Sequence, residues 1–223
     1  MQEQAESGQP GRLGEWAGRA RRRIRQWRGT EPRTRVQIRC EQAREGGWWI
    51  CPMTLRPNDI AYCIDRGSDL RLERTLLHDY GARTYIFDPD PATAERAERE
   101  GLLAAFQLYA IRVGPENRAA DPDRGVDGAR MIRIGDLMRM LGHRRLDLLK
   151  VDVGTGEAIL RELVEMGTDV RQLLVHFPNR ETEADRQRIE SLVDGLDARG
   201  YRIFRISPDG SRYSFLRTDF ESV

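Results

Sequence analysis

The sequence contains only three cysteines among its 223 residues, and this scarcity excludes two classes of site. The number is odd and no CxxC pair occurs, so neither a disulfide framework nor a zinc site is indicated. The three are Cys40, Cys51 and Cys63. Such cysteine usage fits a reducing compartment, and we expect a cytoplasmic protein.

Histidine and lysine are also scarce. His78, His143 and His176 lie far apart with no ligand pair at helical spacing, so we expect no metal site. Lys150 is the single lysine, and every other member of the basic set is an arginine. The 37 basic and 36 acidic residues leave a net charge of +1, which gives no general attraction for nucleic acid or membrane.

Long apolar runs are also missing. No stretch approaches the roughly 20 apolar residues of a membrane span, and no apolar segment follows the N-terminal charges as in a secretion signal. Hydrophobic residues still make up 39% of the chain, enough for one sizeable core. We therefore expect one domain over residues 33–223, preceded in residues 1–32 by a disordered stretch and a separate helix.

That helix is predicted over residues 12–28 and is basic and amphipathic, with arginines at most of its remaining positions. Its apolar residues recur at steps of three and four, namely Leu13, Trp16, Ala20, Ile24 and Trp27. Such a helix can cover its own domain through the tryptophans, lie on an anionic membrane surface, or dock on a protein partner. The sequence leaves these three uses open.

From about residue 33 onward, strand-like and helix-like segments alternate. Strands are predicted over 59–64, 83–87, 106–113, 146–153 and 171–177, helices over 70–80, 92–100, 134–141, 157–166 and 183–199, and a plain loop over 114–128. The last two strands, 201–206 and 213–217, flank a turn-rich stretch and predict an antiparallel hairpin. The alternation predicts an α/β fold, with a mostly parallel sheet and helices on both faces, that binds ligands beyond the carboxyl ends of its strands.

Two of these strand ends carry residues suited to a nucleoside. Gly67 allows a close backbone approach to a ligand, although an ordinary turn would also use a glycine here. A GxGxxG motif is absent, which disfavours a nicotinamide or flavin cofactor. The carboxylate of Asp88 can accept both hydroxyl hydrogens of a ribose, because an ionised carboxylate only accepts hydrogen bonds and can take two donors. Asp90 is better placed to cap the next helix, which should leave Asp88 available for a ligand.

The most apolar strand ends in a cluster of charges. Lys150 and Asp152 are two residues apart on a strand, so they project to the same face and can form a charge pair beside a ligand. Glu157 suits the N-terminal turn of the following helix. His176 lies at the end of the next strand without an evident partner, so the sequence gives no support for it as a general base.

The order and spacing of several segments between residues 33 and 218 carry a family resemblance. They are Gly46-Gly47-Trp48, Ala61-Tyr62-Cys63, Tyr85-Ile86-Phe87-Asp88-Pro89, Asp147-Leu-Leu-Lys-Val-Asp152, Gln172-Leu173-Leu174-Val175 and Tyr213-Ser214-Phe215. Together they resemble the FkbM family of methyltransferases, especially its branch that includes methyltransferase-like protein 24.

The resemblance implies a Rossmann-like class I methyltransferase fold, with seven strands of which the last is inserted antiparallel, and S-adenosyl-L-methionine as cofactor. It implies O-methyl transfer to a hydroxyl of a sugar or another small-molecule acceptor. The cofactor-binding residues would be Asp65, Gly67, Ser68 and Asp88, the last at the ribose. Lys150 and Asp152 would begin the family's Lys-x-Asp-x-Glu-Gly-x-Glu signature, with Asp152 or Glu157 as general base and Lys150 orienting the acceptor or stabilising charge.

Three site loops depart from the family pattern. Asp65-Arg66-Gly67 replaces Gly-x-Gly, Gly154-Thr155 replaces Glu-Gly, and His176-Phe177-Pro178 stands where Glu-x-His is expected. We therefore keep two hypotheses, an active methyltransferase and a catalytically degenerate pseudoenzyme that binds a ligand or partner without turnover. Methylation of nucleic acid has only the arginine-rich helix in its favour and is not expected.

Overall fold

The computed structural model describes residues 12–27, 31–64, 69–152, 154 and 156–219. The helices in these ranges are α1 (Arg12–Trp27), α2 (Arg71–His78), α3 (Pro91–Arg99), α4 (Ile134–Met140), α5 (Gly156–Met166) and α6 (Glu183–Asp197). The strands are β1 (Ala43–Glu45), β2 (Trp48–Ile50), β3 (Ile60–Ile64), β4 (Arg83–Phe87), β5 (Gln107–Tyr109), β6 (Arg112–Val113), β7 (Met131–Ile132), β8 (Arg145–Val151), β9 (Asp169–His176), β10 (Tyr201–Ile206) and β11 (Arg212–Arg217).

Seven strands form the central sheet, in the order β10-β11-β9-β8-β3-β4-β5. The pairs β4–β5, β3–β4, β3–β8 and β8–β9 are parallel, whereas β11 runs antiparallel to both of its neighbours. A parallel sheet with the last strand inserted antiparallel is the class I methyltransferase arrangement. The expected α/β fold and its terminal antiparallel hairpin are therefore confirmed.

The core explains why β8 is the most apolar strand. Residues 146–151 are all buried, because helices cover the sheet on both faces. One face packs against α4, α5 and α6 through a cluster that includes Leu149, Ile159 and Ile189. The other packs against α2 and α3 through Leu72 and Ala97. Burial on both faces leaves the carboxyl edge of the sheet as the place for polar side chains.

The predicted strands differ from the structure in two regions. The single strand predicted over 106–113 is two short strands, because the chain leaves the central sheet after β5, and β6 then pairs with β7. The hairpin β1–β2 was not predicted. Its turn places Gly46 and Gly47 at φ of 54° and 81°, and a Cβ added to Gly46 would lie 2.8 Å from the backbone nitrogen of Leu72. Glycine is thus required where this hairpin approaches α2.

The loop predicted over 114–128 contains a 3₁₀ segment at Pro122–Gly128. The disorder predicted for residues 1–11 falls outside the described residues, and the division of the chain at residue 32 stays a prediction. Among the helices described, none is long and apolar enough to cross a membrane.

Candidate functional site

Charged and polar side chains gather where β8 and β9 end at the carboxyl edge of the sheet. The two strands run parallel in a register that pairs Val151 with Val175, so the following residues, Asp152 and His176, lie side by side. We call the group the edge cluster. Its members are Trp48, Glu73, Lys150, Asp152, His176 and Arg212.

Lys150 is buried and paired with a residue that sequence reasoning missed. Its Nζ donates a hydrogen bond to Glu73 Oε1 at 2.8 Å, and both side chains are at most 1% exposed. Nζ also lies 5.8 Å from the centre of the Trp48 ring. Glu73 stands in the first turn of α2. A lysine at this burial needs a counter-charge, because an isolated buried ammonium is strongly disfavoured.

Asp152 and His176 form a hydrogen-bonded pair, with 2.7 Å between Oδ1 and Nδ1. Their side chains are 16% and 28% exposed, so both are partly accessible to solvent. Burial alone would raise the pKa of Asp152, but the hydrogen bond with His176 and the positive charges of Lys150 and Arg212 outweigh it and lower this pKa. Asp152 is therefore held as a carboxylate beside the imidazole.

Arg212 closes the cluster on the side of β11. It is the register partner of His176, and its guanidinium carbon lies 4.9 Å from the centre of the Trp48 ring. It also donates to the carbonyl of Gly47 at 3.2 Å. The hairpin β1–β2 thus places the Trp48 ring within 6 Å of the cationic groups of both Lys150 and Arg212, which is favourable for cation–π interaction.

Glu157 has a partner of its own. It stands in the first turn of α5 and forms an ion pair with Arg188 of α6, which also pairs with Asp185 at 2.7 Å. Its side chain is 27% exposed. The contact ties α5 to α6, so the structure gives Glu157 a structural role and does not test its role as a base.

Asp88 follows β4 and is held by its own loop. Oδ1 accepts from the backbone N–H of Asp90 at 2.9 Å, Oδ2 accepts from the hydroxyl of Thr93 at 2.6 Å, and the residue is 1% exposed. Asp90 does cap α3, by accepting from the N–H of Ala92. The expectation that this capping leaves Asp88 available was wrong, because Asp88 bonds to the same turn.

The other predicted cofactor residues, Asp65, Gly67 and Ser68, lie outside the described residues.

The structure thus brings Lys150, Asp152 and His176 into one cluster and gives Glu157 and Asp88 partners elsewhere. The importance of His176 was missed because its partner, Asp152, is 24 residues away, after a different strand. The available signal was that Asp152 directly follows one apolar strand and His176 ends the next, and the carboxyl ends of neighbouring parallel strands lie at one edge of the sheet. Glu73 could have been sought because a lone lysine in a buried strand requires an acid.

The cysteines and histidines show no further site in the part of the chain that the structure describes. No three or more metal-ligand side chains come together there. None of the three cysteines forms a disulfide with another described residue. Burial, together with the neighbouring Cys51, raises the pKa of Cys40 to about 12, and burial raises the pKa of Cys51. Both thiols are held in the protonated, weakly nucleophilic form.

The sequence matches one curated relative, probable methyltransferase-like protein 24 of Rattus norvegicus. The two are 24% identical over 174 residues, which cover 71% of this chain and 46% of the relative. The chain is similar to a methyltransferase-like protein. It spans about half the length of that relative. No family model matches the chain, so membership of the FkbM family stays a prediction.

Solved structures give more distant likenesses. A candidate rRNA methylase from Clostridium thermocellum is 8% identical at a TM-score of 0.46, covering 76% of this chain and 92% of that chain. Aeropyrum pernix fibrillarin, solved with natively bound S-adenosyl-L-methionine, is 15% identical at a TM-score of 0.38, covering 84% and 85%. At this distance the fold assignment rests on the strand order of the chain itself.

Proposed function

We propose that the protein is an S-adenosyl-L-methionine-dependent methyltransferase that acts on a hydroxyl of a sugar or another small metabolite. The observation that carries the proposal is the Asp152–His176 pair at the carboxyl edge of a class I sheet. The sequence similarity to a methyltransferase-like protein supports methyl transfer in general. The hydroxyl acceptor is what the family resemblance suggests, and a general base suits it because a weakly acidic hydroxyl needs help to lose its proton.

The described residues fit a nucleoside cofactor in position and in acceptor type. Asp88 lies at the end of β4, the strand next to β3, where a ribose-binding acid is expected. Each of its carboxylate oxygens has a protein donor, but an ionised carboxylate can accept about four hydrogen bonds. A ribose could reach them only if the Asp88–Thr93 turn opens, because the side chain is buried. Asp88 is therefore the residue at which the proposal can fail.

The proposed chemistry uses His176 as the general base and Asp152 as its positioning residue. With Nδ1 of the imidazole engaged by Asp152, the other ring nitrogen, Nε2, takes the proton of the acceptor hydroxyl. The carboxylate fixes the ring orientation and stabilises the imidazolium that forms. The cofactor, when bound, supplies a methyl group activated on a sulfonium. Lys150 is too buried to contact an acceptor, so its proposed part is to hold Asp152 ionised.

Calorimetric titration with S-adenosylmethionine and S-adenosylhomocysteine tests the cofactor site. We expect a dissociation constant in the micromolar range, which corresponds to a binding free energy of about −8 kcal/mol. Asp88→Ala should abolish binding while Asp90→Ala, which removes the neighbouring capping carboxylate, should keep it. His176→Gln should also keep binding, because His176 is assigned to the acceptor. Loss of binding in both aspartate variants would point to damage to α3 instead of a ribose contact.

The alternative is a catalytically degenerate module, and the burial of Asp88 favours it. Under this alternative the site loops have closed the cofactor site, and the fold serves to bind a partner. Absence of binding at millimolar cofactor in the folded wild-type protein would establish the alternative over the enzyme.

A further inference from the structure

Helix α1 is fixed to the domain by one face. A Cβ added to Gly18 would lie 2.6 Å from Cβ of Pro208, in the turn between β10 and β11. From the same face, Arg22 donates to the hydroxyl of Thr34 at 2.8 Å and Gln26 donates to the carbonyl of Thr34 at 2.9 Å. The helix therefore has a defined orientation on the domain.

A buried acid strengthens this attachment. Glu31 is 4% exposed and forms ion pairs with Arg22 at 3.5 Å, Arg25 at 3.0 Å and Arg180 at 3.0 Å. Two of these arginines belong to α1, and the third follows β9. Arg22 and Arg25 of α1 face the domain because they share the buried carboxylate of Glu31 with Arg180.

The opposite face of α1 is apolar and points to solvent. Trp16 is 67% exposed, Ile24 51% and Trp27 86%. At 3.6 residues per turn these three side chains fall on one stripe, directly opposite Gly18 and Arg22. The possibility that the tryptophans pack on their own domain is thereby wrong.

Cationic side chains border this apolar stripe. Arg19 and Arg23 are exposed along one edge and Arg21 along the other. Arg19 and Arg23 also line a groove of about 470 Å³, which Arg35 and Arg205 share. From Trp16 to Trp27 the sequence contains no Asp or Glu. A partner for this surface must be apolar at its centre and anionic around it.

We propose that this face of α1 docks on an anionic lipid bilayer. Tryptophan prefers the boundary between headgroups and acyl chains, and arginines beside an apolar stripe keep their guanidinium groups at the phosphates. A second copy of the chain is a poorer occupant, since a symmetric contact would press the same arginines against each other. The proposal is independent of methyl transfer.

Flotation of the full chain with vesicles of equal parts phosphatidylglycerol and phosphatidylcholine tests it. We expect binding that is lost on pure phosphatidylcholine and that weakens with salt. Trp16→Ser with Trp27→Ser should lower the partition coefficient about tenfold or more. The matched control is Met53→Ser with Met140→Ser, which removes side chains 74% and 61% exposed elsewhere on the molecule and should leave binding unchanged.

Charge and depth have separate readouts. Arg19→Glu with Arg23→Glu should abolish binding, whereas reversal of the exposed Arg56 and Arg99 should not. Quenchers on the lipid chains should lower the fluorescence of the bound protein. The loss can be assigned to Trp16 and Trp27, because the other two tryptophans, Trp48 and Trp49, are only 2% and 7% exposed. No binding of the wild type, equal binding of the tryptophan variant and its control, or a dimer in solution that the tryptophan variant dissociates would each overturn the proposal.

Discussion

Lys150 and Glu73 determine what can be changed in the edge cluster. Both are nearly inaccessible to water, so removing either side chain leaves the other charge buried without a counter-charge. The interaction explains why the chain keeps one lysine here, since a guanidinium is larger and branched and needs more donors satisfied than an ammonium. Their pairing is structural, and its effect on chemistry passes through the neighbouring Asp152.

The pair leads to a prediction on stability. Lys150→Met should lower the free energy of unfolding by about 3–5 kcal/mol, because it leaves Glu73 buried without a counter-charge. The double variant Lys150→Met with Glu73→Met should recover most of this loss. Urea unfolding of the wild type, both single variants and the double variant gives the coupling energy. Additive losses would contradict the assignment of a direct pair.

Asp152 leads to a prediction on pH. Its folded-state pKa is lowered, so its ionised form contributes stability above the ordinary pKa of about 4, and this contribution disappears as the pH falls through the folded-state pKa. The stability difference between the wild type and Asp152→Asn should therefore shrink as the pH is lowered from about 6 to about 3. Urea unfolding across this range measures it. A difference that stays constant would show that Asp152 titrates alike in both states.

At the scale of single residues, the sequence located the site but not its contacts. It placed Lys150 and Asp152 on one face at the end of a central strand, and both lie in the edge cluster. It could not find the partners Glu73 and His176, because strand register and helix placement decide them. The same limit made Asp88 look available, since a hydrogen bond within its own turn has no sequence signature that separates it from the capping of Asp90.

At the scale of elements, helices and strands with strong apolar periodicity were predicted well. Strand β4 was predicted without error at 83–87, and α5 and α6 within two residues at their ends. The errors fall on short strands. The hairpin β1–β2 has three-residue strands, too short for a clear alternation, and its position depends on the close approach of Gly46 to α2.

Helix α1 leads to a prediction on attachment. Glu31→Ala should release α1, because Arg22, Arg25 and Arg180 would then face each other without a shared acid. We expect a loss of about 1–3 kcal/mol and faster tryptic cleavage within the arginine-rich helix. Glu183→Ala is the matched control, as it removes a 65% exposed partner of Arg186 and should cost about 0.5 kcal/mol or less. Unchanged cleavage of Glu31→Ala would show that α1 is held by other contacts.

At the scale of the whole molecule, α1 and the edge cluster lie at the same edge of the sheet. Strand β10 runs parallel to β9, so the turn after β10 lies at the carboxyl edge, and Gly18 of α1 contacts Pro208 in this turn. Arg180, which follows β9, reaches Glu31 from the same edge. A bilayer under α1 would therefore lie beside the edge at which the proposed acceptor enters.

This arrangement predicts that membrane docking and the cofactor site can be separated. Deleting residues 1–28 removes no strand of the sheet and keeps the Glu31–Arg180 ion pair at 3.0 Å. We expect cooperative unfolding with a midpoint lowered by about 2–8 °C, as a loss of one or two kcal/mol gives for a chain of this size. Vesicle binding should disappear, whereas the dissociation constant of S-adenosylmethionine should stay within about threefold of the wild-type value, less than 1 kcal/mol. Calorimetry of both chains decides it, because loss of cofactor binding on truncation would make α1 part of the cofactor site and not a separate docking element.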